Sequence, residues 1–282
     1  MTAISLDFSQ NVDLRLTGEI VACVDIVAKR LNVEYFIVGA LARDLWLVHR
    51  LGIPVARQTN DADFAVAVAS WMAFHAFRKA LLESGEFGEA RGQVHQLRHR
   101  NGIPIDLIPF GGVEREDRSI ALPPEGALVM SVFGFREAAT QTVEVRLPGS
   151  ATGRVVTLPA LAMLKINAWA DRHVRSPQKD AYDFQLIVRN YADLHRHDRL
   201  YDNNPYLIGS RADYELAGAW LLGQDMAQLL DAKGRERLAG TIAGEADNEG
   251  QLRLAGEMMR ENEERALALL AALKNGFTGT DT

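Results

Sequence analysis

The chain has 282 residues, enough for one large domain or two ordinary ones. With 48% apolar and 24% charged residues, it can bury a sizeable core, and the composition excludes wholesale disorder. The net charge of −6 excludes a uniformly basic nucleic-acid binder, so any contact with nucleic acid must use a local patch.

The N-terminus, Met1 to Asp7, has no positive region and no long apolar stretch, so no secretion signal is expected. No apolar run approaches the ~18 residues of a membrane span, and the expected location is the cytoplasm. Leu16, Ile20, Cys23, Val24, Val27 and Leu31 recur at helical spacing and predict an amphipathic helix. Cys23 lies on its apolar stripe and reads as a small buried hydrophobe. As the lone cysteine it also excludes an internal disulfide. Tyr35 to Val38 is a short β-prone run ending at Gly39, followed by a helix over Leu41 to Arg50 that Gly52 and Pro54 break. Ala62 to Val68 alternates like a strand, with Phe64, Val66 and Val68 on one face. Ser70 is placed to cap the next helix, which carries Phe74, Phe77 and Leu81.

Val94 to Arg100 and Ile103 to Ile108 predict two strands joined by Asn101-Gly102, the strongest short hairpin signal. Residues 109–139 read as loop-rich. Val143 to Leu147 and Arg154 to Leu158 predict two more strands. From Pro159 the apolar spacing is helical almost to the end, with breaks near Asp202 to Pro205 and at Asp247-Asn248, and Gly276 to Thr282 reads as a disordered tail. Strands first and helices later predict an α+β protein: a mixed sheet with flanking helices over 1–158 and a helical domain over 159–282. Charge is not spread evenly along the chain. The stretch 165–199 leans basic, while from Tyr206 onward there are 13 acidic and 8 basic side chains.

The sharpest feature is Thr59-Asn60-Asp61-Ala62-Asp63-Phe64. On a strand, residues i and i+2 point to the same face, so Asp61 and Asp63 project together above Ala65 and Ala67. Adjacent like charges repel unless a cation lies between them, and oxygen ligands of this kind suit Mg²⁺. Taken alone, such a pair is also what a solvated strand end looks like. Asp106 is a single charge in the apolar run 103–108; it is either at an exposed edge or ligated. At Gly39 a strand passes into a helix, which lets an anion approach the backbone, although a plain tight turn reads the same way. His95 and His99 share a strand face, but no third ligand at zinc-type spacing accompanies them, and no zinc site is expected. His195 and His197 read as surface residues. Ser176-Pro177 reads as a helix start, with Asp180 in the first turn and Asp183 one turn beyond Lys179. Lys165, one turn from both Leu161 and Trp169, falls on an apolar row and is either a snorkelling lysine or a functional one.

Together, Gly39-Ala40, Arg57 to Phe64 and Pro104 to Phe110 resemble the DNA-polymerase-β-like nucleotidyltransferase superfamily. Within it, Leu158 to Lys165, Ala168 to Arg172 and Lys179-Asp180-Ala181-Tyr182-Asp183 resemble the AbiEii-type nucleotidyltransferase toxins. The resemblance covers roughly residues 30 to 190. It implies a nucleotidyltransferase fold followed by a helical domain that closes the active-site cleft. It also implies transfer of a nucleoside monophosphate from an NTP to an acceptor hydroxyl. Asp61, Asp63 and Asp106 would hold two Mg²⁺ ions, with Mn²⁺ as the alternative, and Asp106 would take the acceptor's proton. Gly39, Ala40, Arg43, Thr59, Lys165, Arg172 and Asp183 form the implied nucleotide-binding set. The implied acceptor is tRNA, another RNA or a protein hydroxyl, and an antitoxin protein is an implied partner. The chain departs from the family pattern at Ala40, where glycine or serine is usual, and in a longer gap between Gly39 and Asp61. Gly39, Arg43 and Asp44 are also similar to a stretch of tRNA CCA-adding enzymes. Two other readings stay open at this point: a non-catalytic nucleotide-binding module, and a small-molecule nucleotidyltransferase of the aminoglycoside-modifying kind.

Overall fold

The computed structural model describes residues 5–56, 61–90, 94–123, 128–172, 178–195, 199–207, 212–246 and 253–280. They form two compact units, Met1–Thr157 and Leu158–Thr282.

In chain order the first unit comprises β1 (Leu6–Asp7), α1 (Arg15–Leu31), β2 (Tyr35–Val38), α2 (Gly39–Asp44), β3 (Ala62–Val68), α3 (Trp71–Glu83), β4 (Phe87–Glu89) and β5 (Gln96–His99). There follow β6 (Pro104–Gly111), β7 (Ser119–Leu122), β8 (Leu128–Ser131), α4 (Phe135–Ala139), β9 (Thr142–Leu147) and β10 (Ala151–Val156). Eight strands make one sheet in the order β1-β9-β10-β2-β3-β6-β5-β4. The sheet is mixed: β1–β9, β10–β2 and β3–β6 are parallel, and the other neighbours are antiparallel.

Position in the sheet explains composition. Central β2 is buried at all four residues, and its sequence is an unbroken apolar run, as a strand covered on both faces requires. The first helix buries Ile20, Val21, Val24 and Val27 and ends on Asn32 in the left-handed region, φ 52°. Ser70 caps α3 by accepting from the Ala73 amide at 3.3 Å. The helix that begins at Gly39 continues as a π-helix over Leu45–Arg50. It is pinned to the sheet by Trp46, 1% exposed, whose Nε1 donates to the Val156 carbonyl at 2.8 Å. The β5–β6 hairpin turns at Asn101-Gly102, with Gly102 at φ 85°.

The loop-rich reading of 109–139 needs correction. β7 and β8 pair as a separate ribbon, and α4 follows. Ion pairs brace this excursion: Glu114 accepts from Arg118 at 2.6 Å and from Arg136 at 2.9 Å, and Arg118 also pairs with Glu137. Four-residue strands stabilised by charges leave little hydrophobic periodicity to detect.

The second unit is helical: α5 (Leu158–Arg172), α6 (Lys179–Leu194), α7 (Tyr214–Gln228), α8 (Ala232–Ala246), α9 (Arg253–Met258) and α10 (Glu263–Thr278). Short 3-10 turns at Arg199–Tyr201 and Pro205–Leu207 occupy the first expected break; Asp247-Asn248 lie outside the described residues. α7 and α10 pack backbone to backbone. A Cβ at Gly223 would meet the Leu273 carbonyl, and one at Gly276 would meet the Trp220 carbonyl. The expected tail from Gly276 is therefore helix for three more residues, because Gly276 is part of this crossing. Among the described residues no helix is long and apolar enough to cross a membrane.

Candidate active site

Three elements meet at the end of β2. Val38 pairs with Asp63, Asp63 pairs with Asp106, and Asp106 pairs with Gln96, so one rung crosses β2, β3, β6 and β5. Asp63 and Asp106 are opposite residues on neighbouring parallel strands. They share a face and have backbones about 4.8 Å apart. Asp61 immediately precedes β3, and all three aspartates are half-buried. The alternation that buries Phe64, Ile105 and Leu107 is what turns the carboxylates to the other face.

Gly39 lies next to this rung. It has φ 68°, and a Cβ there would overlap the Asp63 carboxylate. Glycine satisfies both demands, since it adopts positive φ without strain and leaves the space empty. The strand–helix turn and the carboxylate are thus one local structure. Ala40, next along, is buried. Arg43 is 1% exposed and donates to Asp44 through Nε at 2.8 Å and Nη2 at 2.6 Å. It stands in the core as part of an ion pair. Beside Asp106, burial holds the His95 imidazole below its usual pKa against the upward pull of that carboxylate. Thr59 and the side chain of Arg172 lie outside the described residues.

In the second unit, Lys165 is buried on α5. Its Nζ stands 2.5 Å from Asp183 Oδ2 and 3.4 Å from Asp180 Oδ1. Both aspartates are on α6 and at most 1% exposed. Lys165 does not snorkel: its amine ends on carboxylates, and Asp183 takes it as partner. Asp180 is in the first turn of α6, as its position predicts, but burial and Lys165 rather than the helix dipole define its setting. Ser176 and Pro177 lie outside the described residues; the residue flanking α6 is Gln178, at φ 79°. His195, expected at the surface, is buried at 9% exposure with its ring 4.9 Å from Tyr191. It follows the last turn of an amphipathic helix, where the burial of Tyr191 carries it inward. His197 lies outside the described residues.

Among the described residues, the side chains whose ligand-type atoms all approach within 4.8 Å are Cys23, Glu86 and His99. This set differs from the three aspartates, and no spacing in the sequence announces it.

The family model described as "Nucleotidyl transferase AbiEii toxin, Type IV TA system" matches residues 31–262. No curated protein matches the sequence. Among solved structures, the chain is similar to an antigenic nucleotidyltransferase-like protein from Paracoccidioides brasiliensis at 14% identity, covering 61% of this chain and 74% of that one with a TM-score of 0.41. It is similar to the antibiotic-resistance factor ANT(2'')-Ia at 15% identity over 61% and 82% of the two chains, TM-score 0.34. It is also similar to the Thermotoga maritima CCA-adding enzyme, solved with tRNA, at 12% identity over 95% and 82%, TM-score 0.25. Matched by the family model over most of its length, the chain belongs to the AbiEii family of nucleotidyltransferase toxins and is a nucleotidyltransferase.

Proposed function

We propose that the rung at the end of β2 is the catalytic centre of a divalent-metal-dependent transfer of a nucleoside monophosphate from an NTP to an RNA hydroxyl, tRNA being the first acceptor to test. The observation that carries this reading is the register that sets Asp63 opposite Asp106 with Gly39 against Asp63. Enzymes of this fold generally use divalent metals, and the donor types fit: carboxylates on opposed positions of neighbouring strands, Asp63 beside Asp106, are oxygen ligands for a hard cation. Asp61, Asp63 and Asp106 would hold two Mg²⁺ or Mn²⁺ ions, which would supply charge neutralisation at the triphosphate and the leaving pyrophosphate.

The acceptor oxygen attacks the α-phosphorus in line. A new phosphorus–oxygen bond forms, the bond to the β-phosphate breaks, pyrophosphate leaves, and Asp106 accepts the hydroxyl proton. Gly39 and Ala40 receive the phosphates along the backbone of the turn; Thr59, assigned to the same phosphates by the resemblance, lies outside the described residues. Arg43, buried against Asp44, holds that turn's helix. Lys165, Arg172 and Asp183 belong to the second unit, and the nucleotide-binding part proposed for them rests on the family resemblance.

The test incubates the pure protein with Mg²⁺, each α-labelled NTP in turn and total bacterial RNA, beside an Asp61→Ala/Asp63→Ala control. Label in RNA with the wild type and not with the control supports the reading. Label reaching protein or an aminoglycoside instead of RNA replaces the acceptor, and nucleotide binding with no transfer to any of them rejects the centre. The family's description as a toxin–antitoxin system makes an antitoxin protein the partner to test; co-expression of that antitoxin should relieve any growth arrest caused by the wild type.

A further inference from the structure

We propose that Cys23, Glu86 and His99 form a second metal site, with zinc as its ion, separate from the aspartate rung. Cys23 is half-buried on α1, Glu86 directly precedes β4, and His99 ends β5. Their ligand atoms lie within 4.8 Å of one another. His99 is 1% exposed, and its Nε2 has no hydrogen-bond partner among the described residues, a costly position for a buried polar atom.

The spacing favours a shared ion over a direct bond. His99 Nε2 stands 3.8 Å from Glu86 Oε2, too far for a hydrogen bond. Ligands bonded tetrahedrally at about 2.0–2.3 Å to zinc stand roughly 3.3–3.7 Å apart. One thiolate, one imidazole and one carboxylate form a mixed soft and hard set that suits zinc and not magnesium. Three protein ligands leave a fourth position for water. The ring of His99 is held edge-on to Phe87 at 5.3 Å. Glu86 also meets Arg100 at 3.0 Å, but Arg100 is 59% exposed and can turn to solvent when an ion arrives.

The groups facing the thiol and the imidazole are Glu19, Glu86 and Arg100. Burial and Glu86 hold the Cys23 thiol above its usual pKa, and burial holds the His99 imidazole below its usual pKa against the upward pull of Glu86. Binding must displace the thiol proton, so occupancy should rise with pH. A metal-free arrangement of the same atoms exists: the Asn101 amide donates to His99 Nδ1 at 3.5 Å, which would place the ring proton on Nε2, facing Glu86.

The experiment uses tag-free, chelator-stripped full-length protein and metal alone. Co²⁺ should give a thiolate-to-cobalt absorption band that saturates at one ion per chain and that Zn²⁺ displaces. Because Cys23 is the lone cysteine, labelling by a thiol reagent reports the site directly; labelling should be lost at one equivalent of Zn²⁺ and persist in Mg²⁺. Cys23→Ser and His99→Gln should each abolish the cobalt band while circular dichroism shows the fold retained. Absence of the band in wild type, or zinc binding that leaves Cys23 labelling unchanged, overturns the proposal.

Discussion

At the residue scale, the tightest constraint is that Asp63 and the turn at Gly39 share one space. Gly39→Ala should cost about 1–2 kcal/mol for the left-handed backbone alone and should also push the Asp63 carboxylate aside. Urea denaturation should show the stability loss, and transfer activity should fall by more than that loss explains. Asp63→Asn preserves shape but removes the charge. Losing several kcal/mol of charge stabilisation corresponds to a fall of about a thousandfold in kcat, with the thermal midpoint unchanged or raised as carboxylate repulsion is relieved. Lys165→Met acts differently. It leaves Asp180 and Asp183 buried without their lysine and should lower stability by about 3–5 kcal/mol, the cost of breaking a buried pair from one side, as read in the same denaturation. The sequence carries the face that Asp63 and Asp106 take, because strand period alone decides it, whereas Asp61 lies just before β3, where that period does not apply. It carries nothing of the register that sets Asp63 against Asp106, which depends on a long-range parallel pairing. Likewise the apolar row of Lys165 is legible, but the two carboxylates that meet it belong to another helix. Cys23 shows the limit most plainly: its helix is legible, while Glu86 and His99 are brought to it only by tertiary structure.

At the element scale, what is legible depends on length. β3 spans Ala62 to Val68 as its alternation predicts, and α1, α3 and the β5–β6 hairpin follow from period, cap and turn residues. β1, β7 and β8 are two to four residues long, too short for a period to register. Elements are also tied down one bond at a time. Trp46→Phe removes the hydrogen bond to Val156 while keeping most of the apolar volume, so a loss of about 1 kcal/mol is expected in denaturant unfolding, rising toward 3 if the buried carbonyl finds no other donor. At the start of α7, Asp213 accepts from Arg265 at 2.7 Å, and Arg265 also reaches Glu215 at 2.8 Å. The Arg265 bond holds the Asp213 carboxyl below its usual pKa, and the bonds from Arg189 and Arg265 outweigh burial to lower Glu215 as well. Both folded pKa values lie below the unfolded ones, so this contribution to stability is complete above the ordinary carboxylate range and is lost as pH falls through the depressed values. Arg265→Gln should therefore shift acid unfolding, followed by circular dichroism, to higher pH.

At the scale of the whole molecule, the first unit is organised around one sheet and the second around helix crossings that admit no side chain. Gly276→Leu should unfold or reopen the α7–α10 crossing, a change visible as protease sensitivity in the second unit. The sheet has a temporal consequence. Asp63 and Asp106 become neighbours only after α3, β4 and β5 have been made and β6 has docked beside β3, a non-local parallel pairing of the kind that slows folding. A ribosome-bound or truncated chain that ends before β6 can hold Gly39 and Asp63 but cannot complete the rung. On the proposed reading, catalytic competence during synthesis cannot precede the emergence and docking of β6, leaving an interval in which Gly39 and Asp63 are in place but the centre is still incomplete.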